Sequence, residues 1–97
     1  MRYRYALGEV LRELRTEQHK TLRETAQKVP MALGYLSEIE RGSKEISSEI
    51  LDDLCSALRI PTHQVIQMTA YKMELNSEFV SAKLVVAEKP QLALGLN

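Results

Sequence analysis

Residues 21–42, TLRETAQKVPMALGYLSEIERG, decide how this chain is read. Thr21 and Glu24 make a T-x-x-E capping box, in which each side chain satisfies a backbone N–H left open at a helix start. Leu22, Ala26 and Val29 mark the buried side of that helix. Pro30 cannot continue it, so it should end near Lys28 or Val29. A second helix is expected over about 33–41, with Leu36 and Ile39 pointing inward. Leu33, Gly34, Tyr35, Ser37, Glu38 and Arg41 are left for its exposed or intermediate face, and Gly42 is a natural stop. Two short amphipathic helices joined by a tight turn are the layout of a helix-turn-helix. Its first helix braces, and its second enters the DNA major groove.

Working outward, residues 1–5 read as a short arm, with Arg2 and Arg4 alternating with Tyr3 and Tyr5. A first helix is expected over about 6–18, because Leu7, Val10, Leu11 and Leu14 form one apolar stripe. Downstream, residues 43–47 form a polar loop around Ile46. Ser47 or Ser48 can cap a fourth helix over about 48–58, striped by Leu51, Leu54, Cys55 and Leu58. After Ile60-Pro61, Thr62 is a cap candidate for a fifth helix over 62–74 that buries Val65 and Ile66, with Thr69 as a third candidate. Residues 78–88, EFVSAKLVVAE, allow a strand, but a sixth helix is favoured because the rest of the chain is helical. Pro90 ends it, and the tail QLALGLN is short and apolar. The fold class is therefore all-α. As a five-helix DNA-binding fold with a C-terminal helical dimerisation element, it divides into an arm at 1–5, a helix-turn-helix DNA-binding domain at 6–61, the dimerisation element at 62–88 and a tail at 89–97.

Composition narrows the function classes. Ninety-seven residues suffice for one small domain with an added oligomerisation element, and leave no room for a separate ligand-binding domain. Aromatic residues are only 5% and Trp is absent, so Leu, Ile, Val and Ala must build the core. The single cysteine, Cys55, rules out an intrachain disulfide and reads as a core residue, with redox chemistry as its other use. His19 and His63 stand alone, so neither a metal nor any other cofactor is expected. No leader and no membrane span are visible, which points to the cytoplasm. Net charge is zero, but residues 1–45 carry nine Lys/Arg against seven Asp/Glu, while 46–97 carry four against six. That asymmetry permits DNA binding without requiring it.

Residues 8–66 resemble the Cro/cI-type (lambda-repressor-like) helix-turn-helix domain of the XRE family. The resemblance is carried by GEVLRELR, LRETAQKV, GYLSEIERG and ILDDLCSALRIP. The string LGYLSEIERGSKEISSEIL with the CSAL segment is similar to the ClgR regulators, actinobacterial activators of Clp protease genes. This resemblance implies a transcription regulator of Clp protease genes. It also implies Clp protease as a partner, through an apolar tail that has the character of a degradation signal. Glu40, by the same resemblance, anchors the end of the second helix of the motif. Two departures stand out. The family usually has Gly where Pro30 stands, and prefers apolar residues at the positions of Lys20 and Thr25.

An inserted helix offers its N-terminal turns to base edges. Leu33 suits a thymine methyl, and Gly34 permits close approach. Glu38 can accept from cytosine N4, and Arg41 reaches phosphate or guanine. Tyr35, Ser37, Thr21, Arg23, Ser43 and Lys44 are candidates for phosphate oxygens. Plainer readings compete. Leu33 can cap the core, Glu38 can be solvated or pair with Arg41, Tyr35 can pack on the bracing helix, and Arg2 and Arg4 can be an unstructured start.

A lone domain of this kind contacts too few bases for genomic specificity, so a homodimer on a palindrome is expected. Tyr71, Leu75, Phe79, Val80 and Leu84 are its candidate surface, against the alternative that this segment folds back on its own core. An enzyme is not expected: there is no nucleophile–base pair and no glycine-rich phosphate loop, and Asp52 and Asp53 point apart. The competing class is a protein-interaction module such as an antitoxin, which a co-purifying small basic partner would reveal.

Overall fold

The computed structural model describes residues 1–76. Five α-helices follow one another: α1 Tyr3–Glu17, α2 Leu22–Lys28, α3 Leu33–Glu40, α4 Ser48–Ala57 and α5 Thr62–Leu75. The expected sixth helix, the tail, and Phe79, Val80 and Leu84 lie outside the described residues.

The core is the aliphatic set the stripes announced. Leu7, Val10, Leu11 and Leu14 of α1 meet Ala26, Val29, Leu36 and Ile39 of the central pair, with Leu51, Leu54, Cys55 and Leu58 on the other side and Val65 closing from α5. Burial pushes the Cys55 thiol up, which disfavours the thiolate and suits a packing role. Among the described residues no group of His, Cys, Asp and Glu is arranged to hold a metal, and no helix is long and apolar enough to cross a membrane.

Three helices end the same way. His19 (φ 59°), Gly42 (φ 76°) and Arg59 (φ 60°) sit in the left-handed region just after α1, α3 and α4. Each lets the next N–H reach back to a terminal carbonyl: Lys20 to Arg15, Ser43 to Glu38 and Ile60 to Cys55, at 3.1, 2.9 and 3.0 Å. Pro30 holds the equivalent place after α2 and cannot adopt a positive φ. The chain turns there without one. Val29 takes φ −105°, and the Met31 N–H still donates to the Ala26 carbonyl at 3.1 Å. The departure at Pro30 thus changes the turn's backbone and keeps its hydrogen bond.

Several expectations are corrected. The arm is only Met1 and Arg2, because nothing in Tyr-Arg-Tyr-Ala breaks a helix and the Arg2 carbonyl already accepts from Tyr5 and Ala6. Thr62 does not cap α5; Pro61 occupies that position, and the Thr62 hydroxyl donates to Asp52 at 2.6 Å. On α5, Val65 and Thr69 are buried and Ile66 is exposed. Those two lie four residues apart on one face, and Ile66 falls beside it. On α2, Leu22 is half-buried, and Thr25 takes a buried place by donating its hydroxyl to the Thr21 carbonyl at 3.1 Å.

Candidate nucleic-acid interface

The helix-turn-helix begins with the expected capping box. The Glu24 N–H donates to Thr21 Oγ1 at 3.0 Å, and the Thr21 N–H donates to Glu24 Oε1 at 2.8 Å. Both side chains are exposed, and the Thr21 hydroxyl keeps its own proton free to donate.

α3 is seated by its inner side. Leu36 and Ile39 are buried in the core, and Glu40 is buried with them. Glu40 accepts two hydrogen bonds from the buried Arg15 guanidinium, Nε to Oε2 at 2.7 Å and Nη2 to Oε1 at 2.9 Å. The third arm of the fork, Nη1, donates to the Lys20 carbonyl at 2.7 Å. Arg15 is held above the ordinary arginine range, first by its hydrogen bond to Glu40. One charged pair thus ties the end of α1, the link to α2 and the end of α3 into one unit. Gly8 brings α1 against the same place. A Cβ there would lie 2.5 Å from both the Ile39 and Glu40 carbonyl oxygens, so only glycine fits this approach.

The rest of the frame also comes from the link before α2. Gln18 Nε2 donates to the Leu58 carbonyl at 2.7 Å and Lys20 Nζ to the Ala57 carbonyl at 3.0 Å, which satisfies the open end of α4. Lys20, where the resemblance led to the expectation of an apolar residue, thus serves as a donor to the end of α4.

The outer side of α3 is the candidate reading surface. Leu33 and Gly34 open the helix on its exposed side, and a Cβ added at Gly34 would meet no atom within 4 Å. At 40% exposure Leu33 is no lid on the core. Ser37 and Glu38 are half-buried and Arg41 is exposed. Arg41 donates to Ser37 Oγ rather than pairing with Glu38. Ser43 folds back, its hydroxyl donating to the Glu38 carbonyl at 3.2 Å. Lys44 and Arg23 are exposed. Tyr35 is half-buried, and its hydroxyl donates to the Glu45 carbonyl at 3.3 Å. Arg4 reaches the same loop through an ion pair with Glu45 at 3.1 Å. Both side chains therefore hold the loop after α3, and Arg4 is not part of an unstructured start.

The sequence reading assigned none of these structural roles to Arg15, Gly8, Gln18 or Arg4. Their partners lie 25 to 41 residues away for the three that hydrogen-bond through side chains, and no local pattern connects them.

The comparisons with known proteins agree with this geometry. The helix-turn-helix domain family matches residues 6–65. The transcriptional regulator ClgR of Mycobacterium tuberculosis is 51% identical over 63 residues, 65% of this chain and 56% of that protein. The chain thus spans little more than half the length of the curated relatives it matches. A crystal structure of the clp gene regulator ClgR from Corynebacterium glutamicum superposes with a TM-score of 0.78 at 39% identity, covering 94% of this chain and 98% of that one. The restriction-modification controller protein C.AhdI from Aeromonas hydrophila superposes at 0.61 with 28% identity, over 63% of this chain and 92% of its own. The chain belongs to the helix-turn-helix domain family, in its all-α Cro/cI-like (XRE) form, and is similar within it to the ClgR regulators.

Proposed function

We propose that this chain is a sequence-specific, DNA-binding transcription regulator that acts as a homodimer on a palindromic operator and controls Clp protease genes. The observation that carries the reading is the outer face of α3: a helix locked from behind by Arg15–Glu40 and Gly8, with Leu33 and Gly34 open at its leading end. A helix enters a groove with little loss of ordering entropy only if its orientation is fixed beforehand, and here it is. The names of the relatives, transcriptional regulator and clp gene regulator, support the regulatory part.

In this reading Leu33 meets a thymine methyl, Gly34 lets the helix approach the groove floor, and Glu38 accepts from cytosine N4. Arg41, Thr21, Arg23, Ser37, Ser43 and Lys44 hold the backbone, and Tyr35 steadies the loop behind them. Such a regulator works in the cytoplasm, on the chromosome. The tail at 89–97 serves as the handle for Clp protease, a part of the proposal that rests on the family resemblance alone.

Selection of bound duplexes from a random pool, at stated salt, tests the reading directly, and an enriched palindrome is the expected result. On that sequence Glu38→Ala should relax choice at one base pair per half-site, worth about 1–3 kcal/mol of discrimination. Lys44→Ala should weaken all duplexes alike and flatten the salt slope by about one unit. Equal effects of both changes on every duplex would remove Glu38 from the reading surface.

A further inference from the structure

We infer that the open cleft between the outer side of α1 and the far half of α3 is a second seat for a DNA backbone phosphate, with Arg12 and Arg41 as its cationic walls. The inference rests on the DNA-binding reading above. The cleft, about 580 Å3, is lined by Tyr5, Glu9, Arg12 and Arg15 of α1, Leu22 at the start of α2, Ser37 and Glu40 of α3, and Arg41 just after it.

Position is the first argument. Ser37 and Arg41 belong to the outer face of α3, so the cleft is the flank of the surface proposed to enter the groove. Phosphates rise along both sides of an inserted helix, and the next wall of protein they meet on this side is α1.

Charge is the second. Arg12 is exposed and makes no ion pair among the described residues. Arg41 uses one N–H on Ser37 and keeps its other donors. The two carboxylates that line the cleft, Glu9 and Glu40, are already engaged. Glu40 is taken by Arg15, and Glu9 lies 3.3 Å from Lys72 Nζ. Two guanidinium groups therefore face one cleft with nothing anionic of the protein's own committed to them.

Chemistry is the third. Guanidinium forks suit tetrahedral phosphate oxygens, and Ser37 adds a hydroxyl on the same wall. Arg12 is the residue that the recognition-helix pattern cannot find, because it stands on the helix outside the motif.

The test uses the full chain with two labelled duplexes: the sequence enriched from the random pool and a scrambled one of equal length. Arg12→Ala should weaken binding to both by a similar factor, on the order of three- to tenfold near 0.1 M salt, and lower the slope of log K against log salt by about 0.9. Arg12→Lys should restore the slope. The thermal midpoint of both variants should stay within ~2 °C of the parent, since Arg12 is a surface residue. An unchanged salt slope for Arg12→Ala, with the parent binding normally, overturns the cleft and leaves the DNA-binding reading intact. A loss on the enriched duplex alone also overturns it, because that is base reading. A parent that binds no duplex in a salt-dependent way overturns both.

Discussion

The two long faces of α1 meet very different neighbours. Toward α3 the junction is closed: Gly8 lies against two backbone carbonyls, and Arg15 and Glu40 satisfy each other out of solvent. Toward α5 the near part is sealed by Val65 and Thr69 and by Lys72, which reaches Glu9 and Glu13 at 3.3 and 2.9 Å, yet the far side of α5 is left bare. Tyr71 is 61% exposed and Leu75 60%, with Met68 exposed on the same side of the helix. A fold of this size has a small core and little burial to spare. It concentrates its rigid contacts behind α3, the helix whose orientation the proposed reading of DNA depends on. It leaves its spare apolar surface on α5, where a second molecule would gain most from covering it.

The closed junction is most severely broken by Glu40→Ala. The Arg15 guanidinium would stay buried with its fork unpaired, which costs about 3–5 kcal/mol. For a domain of this length the thermal midpoint should fall by roughly 10–20 °C or more. Replacing both partners by apolar residues, Arg15→Met with Glu40→Leu, should recover most of that loss, because no charge is then stranded. DNA affinity should recover less than stability if the pair also sets the angle of α3. A midpoint within ~2 °C of the parent for Glu40→Ala alone would mean that the junction is not closed in solution.

Gly8→Ala breaks the same junction from the other side. Alanine's helix propensity favours the change by about 1 kcal/mol. Against that, the new Cβ would lie 2.5 Å from carbonyl oxygens of α3, and backbone atoms cannot swing aside as a side-chain tip can. The clash should win, with a net loss of about 1–2 kcal/mol in urea unfolding and weaker DNA binding as α3 is pushed away from α1. A stabilised Gly8→Ala protein would show that helix propensity outweighs the contact.

The same contrast explains what could be read from the sequence. The helices, the Thr21–Glu24 box, the Ser47 cap, the stop at Gly42 and the burial of Cys55 are local signals, written within one or two turns. The seating of α3 is not local. Arg15 and Glu40 are 25 residues apart, and each looks like one more charge on a charged helix. Gly8 in a helix reads as a weak helix former until its neighbour is known. Ile66 shows the opposite failure. Its type suggests core, but Val65 and Thr69 define the buried face and leave it outside. The partner of the Tyr35 hydroxyl within the chain, the Glu45 carbonyl, is likewise not legible from the sequence, because a hydroxyl on a helix carries no record of what it bonds.

The open face of α5 gives the smallest effect on the folded chain and the clearest one on assembly. Tyr71→Ser with Leu75→Ser removes two side chains that the single chain hardly buries, so the unfolding free energy per chain should change by no more than about 0.5 kcal/mol. Covering them in a two-fold interface would be worth far more, since each apolar side chain gains about 1.5–3 kcal/mol on full burial and a symmetric contact counts it twice. Sedimentation across a concentration series should therefore show the parent as a dimer and the double variant shifted toward monomer. Binding to a full palindrome should fall with it, while binding to a half-site stays the same. An undiminished dimer would move the interface off the exposed turn of α5, and the bare surface there would need another occupant.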